Sequence, residues 1–267
     1  MFLERIWCQF RWKMAQVLSL VALVVLTSCA GIHSKPVALE QSQNNTLRTI
    51  GLPKFEVSKR IDIRRDNPIY AIIGVSAKVI QQVVRETKRI KYQDANPALL
   101  HVAITKMRKG IKYRLRRLGY RVVDLDMTYW EAQKKYRKQD VGGKHIDALL
   151  RVDIKRFGYA SGSPYKPYRP GMVLAADLYS IHDRTLLSSN VYNVGYDKDD
   201  LSHYTLEVGY ISHIQVEDRR YFYKNFDTLM GNATKSRKGL TFIAGVAAES
   251  VAGNLKKKTE LYKLVRR

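Results

Sequence analysis

The chain has 267 residues, of which 45% are hydrophobic and 27% charged, and its formal net charge is +23 at pH 7. This apolar content excludes a wholly disordered protein, and the length suits one large domain or one domain with a tail. The charge indicates an anionic partner or surface and carries no information about the fold.

The first informative element is an apolar run, Met14–Leu26, that follows two basic residues. It is longer than the roughly 7 residues that a signal-peptide core requires and shorter than the roughly 20 that a membrane-spanning helix needs. Small side chains at Thr27 and Ser28 allow an extended backbone to enter a peptidase cleft, and Cys29 supplies a nucleophilic sulfur for a thioether-linked lipid. Residues 1–28 are therefore predicted to be a signal peptide.

The four residues Leu26-Thr27-Ser28-Cys29 resemble the lipobox of bacterial lipoproteins. The resemblance implies cleavage before Cys29, acylation of Cys29 and, with Ala30 in the second mature position, sorting to the periplasmic face of the outer membrane. The alternative is an ordinary secretory signal followed by a chance cysteine. With Cys8 removed and Cys29 acylated, the mature chain has no thiol for a disulfide, so the fold must rest on its core.

Residues 29–68 are predicted to be the lipidated N-terminus and a flexible tether, because residues 30–53 are polar and show no periodicity. Residues 55–63 alternate imperfectly and could form an edge strand. A compact domain is predicted over residues 69–258, beginning with a buried strand over residues 69–75, and residues 259–267 form a basic tail.

Three helices are predicted in the first half of this domain. Ser76 could cap the first, Asn96-Pro97 starts the second, and Thr128 with Glu131 forms a capping box for the third. The first helix places three apolar residues on one side: Ile80, Val83 and Val84. The second has apolar residues at spacings of three and four along most of its length: Leu100, Ile104, Met107, Ile111, Leu115 and Leu118.

Strands are predicted at four places: residues 120–125, 148–157, 172–182 and 186–196. A tight turn at residues 183–185 makes the last two an antiparallel hairpin. A closing helix over residues 241–255 carries small residues at a spacing of four, which favours packing onto the sheet. The order predicts an α/β (α+β) fold, a mixed sheet of about four to five strands covered by amphipathic helices and preceded by the tether.

Two segments of this domain, Leu115–Asp124 and Ile146–Ile154, resemble known envelope proteins. The similarity is to the small α/β domain shared by the amino-terminal region of the Tol-system propeller protein, penicillin-binding-protein activators and curli-type secretion lipoproteins. It covers roughly residues 69–196 and the closing helix. The resemblance implies a domain that acts by binding, as an accessory factor.

The motifs of common enzymes are missing from the sequence, which contains no G-x-S-x-G, Walker loop or H-E-x-x-H. Ser163 and Lys166 have the S-x-x-K spacing, but the proline between them prevents the helical turn that this nucleophile arrangement needs. His145 with Asp147, and His182 with the residue after it, could each be a fragment of a site, although surface roles are favoured. The prediction is no catalysis, no metal and no cofactor beyond the lipid on Cys29.

The segment 158–171 is the predicted partner-binding loop, because its prolines recur every third residue, as in a polyproline II stretch. Tyrosine and arginine between the prolines are frequent contact residues at interfaces. The alternative is a stiff exposed hairpin loop. The candidate partner-binding residues are Tyr165, Lys166, Tyr168 and Arg169.

The second helix is the predicted polyanion contact, because no acidic residue lies between Asp94 and Asp124. The alternative is a solvated outer face. The candidate contacts are Arg108, Lys109, Lys112 and Arg116.

Taken together, these features predict a non-catalytic accessory lipoprotein of the outer membrane that binds an envelope protein or peptidoglycan and no nucleic acid. The sequence does not predict an oligomeric state. The alternatives are a self-associating secretion or pore component that uses the small-residue helix, and a periplasmic hydrolase that uses His145 or His182.

Overall fold

A computed structural model describes residues 36–58, 60–65, 75–137, 145–197 and 211–256. The predicted signal peptide, the lipidation site Cys29, residues 69–74 of the first predicted strand and the basic tail lie outside the described residues. The described residues form one mixed sheet with the strand order β4-β1-β5-β6-β7-β8, and two further strands, β2 and β3, pair with β5.

The strands are β1 Thr49–Leu52, β2 Glu56–Val57, β3 Asp62–Arg65, β4 Arg121–Asp124, β5 Ala148–Ser161, β6 Arg169–Ser180, β7 Leu186–Val194 and β8 Ser212–Ile214. The α-helices are α1 Gln41–Thr46, α2 Val75–Asp94, α3 Leu99–Arg117, α4 Tyr129–Arg137, α5 Phe226–Gly231 and α6 Ala233–Gly253. The β5–β6 and β6–β7 pairs are antiparallel, and the other pairs are parallel. The predicted mixed α+β class is confirmed, with more strands than predicted.

Two helical layers cover the sheet. Buried side chains alternate along β5, so that Leu150 and Val152 join the core cluster of α3 and α6, whereas Leu149 packs with Tyr129 of α4 on the other face. This alternation places α4 and the α3–α6 pair on opposite sides of the sheet.

The predicted tether is wrong for residues 49–65, because this stretch contributes three strands to the sheet. All four residues of β1 are buried, and β1 pairs with β4 on one side and β5 on the other. A four-residue strand that is buried on both faces shows no hydrophobic alternation, which is why its sequence looked like a tether. The edge strand predicted over residues 55–63 is present as two short segments, β2 and β3, along β5.

The amphipathic seam predicted for α3 is confirmed, since Met107, Ile111 and Leu115 are fully buried. Its partner is α6, which begins eight residues earlier than predicted and buries its small residues against α3. A Cβ atom added at Gly110 of α3 would lie 2.9 Å from the Cβ of Ala248 in α6. The small residues therefore permit close packing within the chain. Within the described ranges, none of the helices combines the length and apolarity that crossing a bilayer requires.

Helix α2 departs from its predicted orientation, because its apolar stripe faces solvent. Ser76, the predicted cap, lies inside the helix, which includes Val75. The side of α2 that meets the core carries Tyr92, whose hydroxyl donates to Ser236 Oγ at 2.8 Å. The exposed apolar residues of α2 are Val79, Ile80, Val83, Val84 and Ile90.

The local signals for α4 and for the β6–β7 hairpin are confirmed. Thr128 N donates to the Glu131 carboxylate at 2.7 Å, and Glu131 N donates to Thr128 Oγ1 at 3.3 Å, which is the predicted capping box. In the hairpin, Arg184 adopts a positive φ of 62° and Ser180 N donates to Thr185 O at 2.9 Å. This hairpin brings His182 close to the start of β5.

Candidate functional site

The predicted partner-binding loop is mostly part of the fold. Strand β5 continues to Ser161 and β6 begins at Arg169, so only residues 162–168 connect the strands. Tyr165 is 96% exposed, whereas Tyr168 is fully buried. The prediction of Tyr168 as an exposed contact residue is therefore wrong, and Tyr165 keeps the exposure that a contact residue requires.

Tyr168 is held in the core by backbone and side-chain contacts. Its amide donates to Tyr223 O at 2.7 Å, and the Tyr223 amide donates back at 3.0 Å. The guanidinium of Arg65 lies 4.7 Å from the ring centroid. Burial raises the pKa of the Tyr168 hydroxyl, and no described group accepts or donates a hydrogen bond there. Tyr168 therefore serves packing, because a large aromatic ring that leaves water contributes strongly to a core.

The two cations of the loop converge on one carboxylate. Lys166 Nζ lies 3.2 Å and Arg169 Nη1 3.7 Å from Asp197 Oδ2. Arg169 also lies over the ring of Phe222, 4.9 Å from its centroid. Lys166 and Arg169 are thus partly neutralised within the chain, which weakens their prediction as partner contacts.

Two of the four candidate polyanion contacts on α3 point toward the sheet. Arg108 donates to Leu52 O at 2.5 Å and to Leu125 O at 3.3 Å, so it covers the carboxyl ends of β1 and β4. Arg108 and Lys112 both pair with Asp124. Burial would raise the pKa of Asp124, but these two cations outweigh burial and hold the pKa below its usual value. Arg108 and Lys112 therefore have structural roles, and their prediction as polyanion contacts is not supported.

The other two candidates, Lys109 and Arg116, lie on the exposed outer face of α3. Tyr113, which is 62% exposed, lies between them on the same face. Arg114 pairs with Glu249 of α6 at 3.0 Å, but among the described carboxylates none pairs with Lys109 or Arg116. This outer face therefore carries positive charge that the described part of the chain does not compensate.

The N-terminal segment joins the sheet at β7. Val37 exchanges two backbone hydrogen bonds of 2.9 Å with Ser189 of β7. The next residue of β7, Asn190, lines an open cavity of about 660 Å³ together with Arg114, Arg117 and Lys256. Val37 therefore pairs with β7 beside a basic concavity at the carboxyl ends of α3 and α6.

At the end of the β5–β6 hairpin that lies away from residues 162–168, three polar residues from two separate sequence motifs meet. His145 Nε2 lies 3.2 Å from Asp147 Oδ1, and the rings of His145 and His182 have centroids 5.4 Å apart. One potential ligand atom from each of the three residues lies within 4.8 Å of the others. Spacing along the sequence does not reveal this cluster, but the pairing of Ala148 with Ser180 does, because it sets residues 145–147 opposite 181–183.

The backbone fixes the carboxylate of this cluster. Asp147 Oδ2 accepts hydrogen bonds from the amides of Arg48 and Thr49, each at 2.7 Å. The Asp147 amide donates to Thr49 O, and the Asp147 carbonyl accepts from the Ile181 amide, each at 3.0 Å. Asp147 is thus held by β1 and by the end of β6, which leaves Oδ1 directed at the imidazoles. The two histidines are exposed.

No protein-family model matches the sequence, and no curated protein matches it. Among solved structures, the chain is similar to the PelC dodecamer from Paraburkholderia phytofirmans, with 11% identity over 84% of this chain and 95% of that chain and a TM-score of 0.38. A DUF330 protein from Xanthomonas campestris shows 9% identity over 85% and 96%, with a TM-score of 0.36. A Neisseria meningitidis lipoprotein shows 10% identity over 60% and 90%, with a TM-score of 0.27.

At these identities and scores, the similarities assign no function to the chain. The resemblance to Tol-system, penicillin-binding-protein activator and curli-secretion proteins stays a prediction.

Proposed function

We propose that the chain is a non-catalytic lipoprotein, anchored through Cys29 to the periplasmic face of the outer membrane, whose domain lies against anionic headgroups through the outer face of α3. The observation that carries this proposal is the positive charge of Lys109 and Arg116 on the exposed outer face of α3, which no carboxylate of the described residues compensates. The anchored domain would act as an accessory factor that presents its remaining surfaces to other envelope components.

The short distance along the chain between anchor and fold supports membrane contact. Val37 already pairs with β7, so about eight residues separate the sheet from Cys29. Fully extended, these residues span at most about 25–30 Å. This reach is much shorter than the one that the predicted tether of residues 29–68 would allow. A domain held so close to a bilayer contacts headgroups more readily than it contacts peptidoglycan farther from the membrane.

The position of the basic residues supports the orientation. Ser189, the partner of Val37, is adjacent to Asn190, which lines the same cavity as Arg114 and Arg117. Each cation near an anionic membrane surface contributes about 1 kcal/mol, and the effect declines over a Debye length of about 8 Å. The acyl chains on Cys29 would supply the anchoring, and the cations would orient the domain.

The alternative function, a self-associating secretion or pore component, depended on an accessible stripe of small residues on the closing helix, α6. Ala244, Ala248 and Ala252 are at most 1% exposed, because they pack against α3 within the same chain. A second subunit cannot use this small-residue stripe while the fold is intact.

Binding of the lipid-free chain, residues 30–267, to vesicles tests the surface. We expect the double variant Lys109→Gln/Arg116→Gln to bind vesicles of phosphatidylglycerol and phosphatidylethanolamine about tenfold more weakly or worse, because about 1 kcal/mol is lost at each position. The binding of the unchanged chain should fall with added salt and be weak on phosphatidylcholine alone.

The matched control removes the same charge from the other side of the sheet. Lys134 and Lys135 are exposed on α4, and Lys134→Gln/Lys135→Gln should change vesicle binding by less than about twofold, because these lysines face away from the proposed contact. Equal losses in the two double variants would show unspecific attraction and contradict the proposed orientation. The anchor is tested separately, since Cys29→Ala should release the full chain from the membrane fraction of cells.

A further inference from the structure

We infer that His145, Asp147 and His182 form a binding site for a divalent transition-metal cation of the Zn²⁺ class. The inference does not rest on the proposed membrane contact, because none of these three residues contributes to the outer face of α3. It is carried by the convergence of three ligand atoms within 4.8 Å of one another.

The separation of two of the ligand atoms already fits such an ion. Zn²⁺ binds imidazole nitrogen and carboxylate oxygen at about 2.0–2.2 Å with tetrahedral angles, so two of its ligand atoms lie about 3.3 Å apart. His145 Nε2 and Asp147 Oδ1 are 3.2 Å apart. The ligand nitrogen of His182 lies within 4.8 Å of the other two ligand atoms. Because the His182 side chain is exposed, it can move the roughly 1.5 Å that would bring this nitrogen to a tetrahedral separation of about 3.3 Å.

The carboxylate of Asp147 is held so that one of its two oxygens can bind a metal ion. Two backbone amides occupy Asp147 Oδ2, so the group cannot rotate freely, and Oδ1 faces the histidines. Metal-binding carboxylates are commonly held in this way by hydrogen bonds from outside the ligand set.

The choice of metal follows from the ligand types. Two imidazoles and one carboxylate suit Zn²⁺, Co²⁺, Ni²⁺ or Cu²⁺, whereas Mg²⁺ and Ca²⁺ prefer oxygen ligands. Three protein ligands leave a position of a tetrahedral ion to water, as the exposure of both histidines allows. Asp183, next to His182, adds a further carboxylate beside the cluster, and its Oδ1 accepts hydrogen bonds from the amide of Thr185 at 3.1 Å and from the hydroxyl of Thr185 at 2.9 Å.

A bound ion would connect three parts of the chain that are distant in sequence. Asp147 already joins the start of β5 to the amides at the start of β1, and His182 belongs to the β6–β7 turn. The ion would therefore crosslink the start of β5 to the β6–β7 turn and stabilise the folded chain according to its concentration.

Titration of the full chain, purified in detergent without a histidine tag, tests the site with Co²⁺ as an absorbing probe. We expect one Co²⁺ to bind per chain with the intense visible absorption of a tetrahedral site. Zn²⁺ should displace the bound Co²⁺, whereas Mg²⁺ and Ca²⁺ should not. His145→Ala and His182→Ala should each weaken binding at least tenfold, since even outer-shell changes cost about 10–100-fold.

The matched control is His101→Ala, which removes an exposed histidine from α3 and should leave Co²⁺ binding unchanged. Melting curves in the presence of a chelator verify that each variant is folded. Absence of Co²⁺ binding by the unchanged chain would overturn the inference, and so would equal binding by a folded His145→Ala/His182→Ala double variant.

Discussion

The two ends of the β5–β6 hairpin show how differently a sequence signals packing and convergence. At one end, the predicted partner-binding loop, residues 158–171, has an unusual sequence rich in proline and tyrosine. Nevertheless, Tyr168 is fully buried, and Lys166 and Arg169 pair with Asp197. At the other end, His145 and His182 belong to unremarkable motifs that lie far apart in sequence, yet their rings are 5.4 Å apart. Composition indicates what a side chain can do, whereas strand pairing decides which side chains meet.

The physical reason lies in the length of the antiparallel pair. A strand alternates its side chains between two faces, and β5 continues through Ser161 instead of ending before the loop. The extra length makes Tyr159 a core residue, and its ring centroid lies 5.5 Å from that of Tyr223 in an edge-to-face contact. Tyr223 in turn pairs through its backbone with Tyr168, which is also buried. The same register fixes the opposite end, where the strands terminate beside the histidines.

The largest expected effect that tests this comparison is the loss of the Tyr168 side chain. Tyr168→Ala should lower the free energy of unfolding by about 3–5 kcal/mol, because removal of a buried aromatic ring leaves a cavity. Chemical denaturation of the lipid-free chain, followed by far-UV circular dichroism, measures the change.

Tyr165→Ala is the matched control for this loss. Tyr165 is 96% exposed, so its removal should change the free energy of unfolding by less than about 0.5 kcal/mol. Similar losses of unfolding free energy at the two positions would contradict the assignment of Tyr168 to the core and of Tyr165 to the exposed surface.

The sequence predicted those elements whose signal is local. The seam of α3, the Thr128–Glu131 box of α4 and the β6–β7 hairpin follow from spacing and turn residues within one segment. It failed at β1, whose four residues are buried by β4 and β5 from elsewhere in the chain. The orientation of α2 failed for a related reason, because periodicity identifies an apolar stripe without showing what covers it.

The site residues follow the same rule. Four cations of α3 could be named from the absence of acids nearby, but only tertiary structure separates Arg108, which binds the carbonyl of Leu52, from exposed Lys109. The role of Asp147 depends on the amides of Arg48 and Thr49, almost 100 residues earlier.

A second prediction concerns the one member of the histidine cluster that also supports the fold. Asp147→Ala should lower the free energy of unfolding by about 1–3 kcal/mol, because the amide of buried Thr49 loses its acceptor. Denaturation in the presence of a chelator measures this cost without metal.

Asp147→Asn is the conservative variant for this position. Its side-chain carbonyl can still accept from both amides, so the loss should be smaller than that of Asp147→Ala. If both variants matched the unchanged chain, the hydrogen bonds to Asp147 would contribute nothing to the fold.

A third prediction uses the buried hydroxyl of Tyr168. At pH 7, Tyr168→Phe should be neutral or stabilise the fold by up to about 1 kcal/mol, because the hydroxyl has no hydrogen-bond partner among the described residues. Burial raises the pKa of Tyr168 in the folded state. Above about pH 10 the unfolded chain loses this proton first, so the stability of the unchanged chain falls as the pH rises.

The Phe variant lacks this proton, and it should lose less stability between about pH 10 and pH 11. The difference between the two proteins is limited to about 1.4 kcal/mol per pH unit, and the other tyrosines cancel in the comparison. Parallel stability curves for the two proteins in this range would show that the Tyr168 hydroxyl ionises as readily in the folded state as in the unfolded state.

The smallest expected effect is at the two histidines without metal. His145 and His182 are exposed, so His145→Ala and His182→Ala should change the free energy of unfolding by less than about 0.5 kcal/mol in a chelator. Zn²⁺ should then stabilise the unchanged chain by about 2.7 kcal/mol at a hundredfold excess over its dissociation constant, and should stabilise either variant by no more than about 1.4 kcal/mol at that concentration, because each variant binds at least tenfold more weakly. A fold that needed these side chains without metal would show the loss in both media. A difference that appears only with Zn²⁺ therefore shows that the histidines bind a ligand and do not support the packing of the fold. At the other end of the hairpin the opposite holds, because Tyr168 supports packing and is not exposed to a ligand.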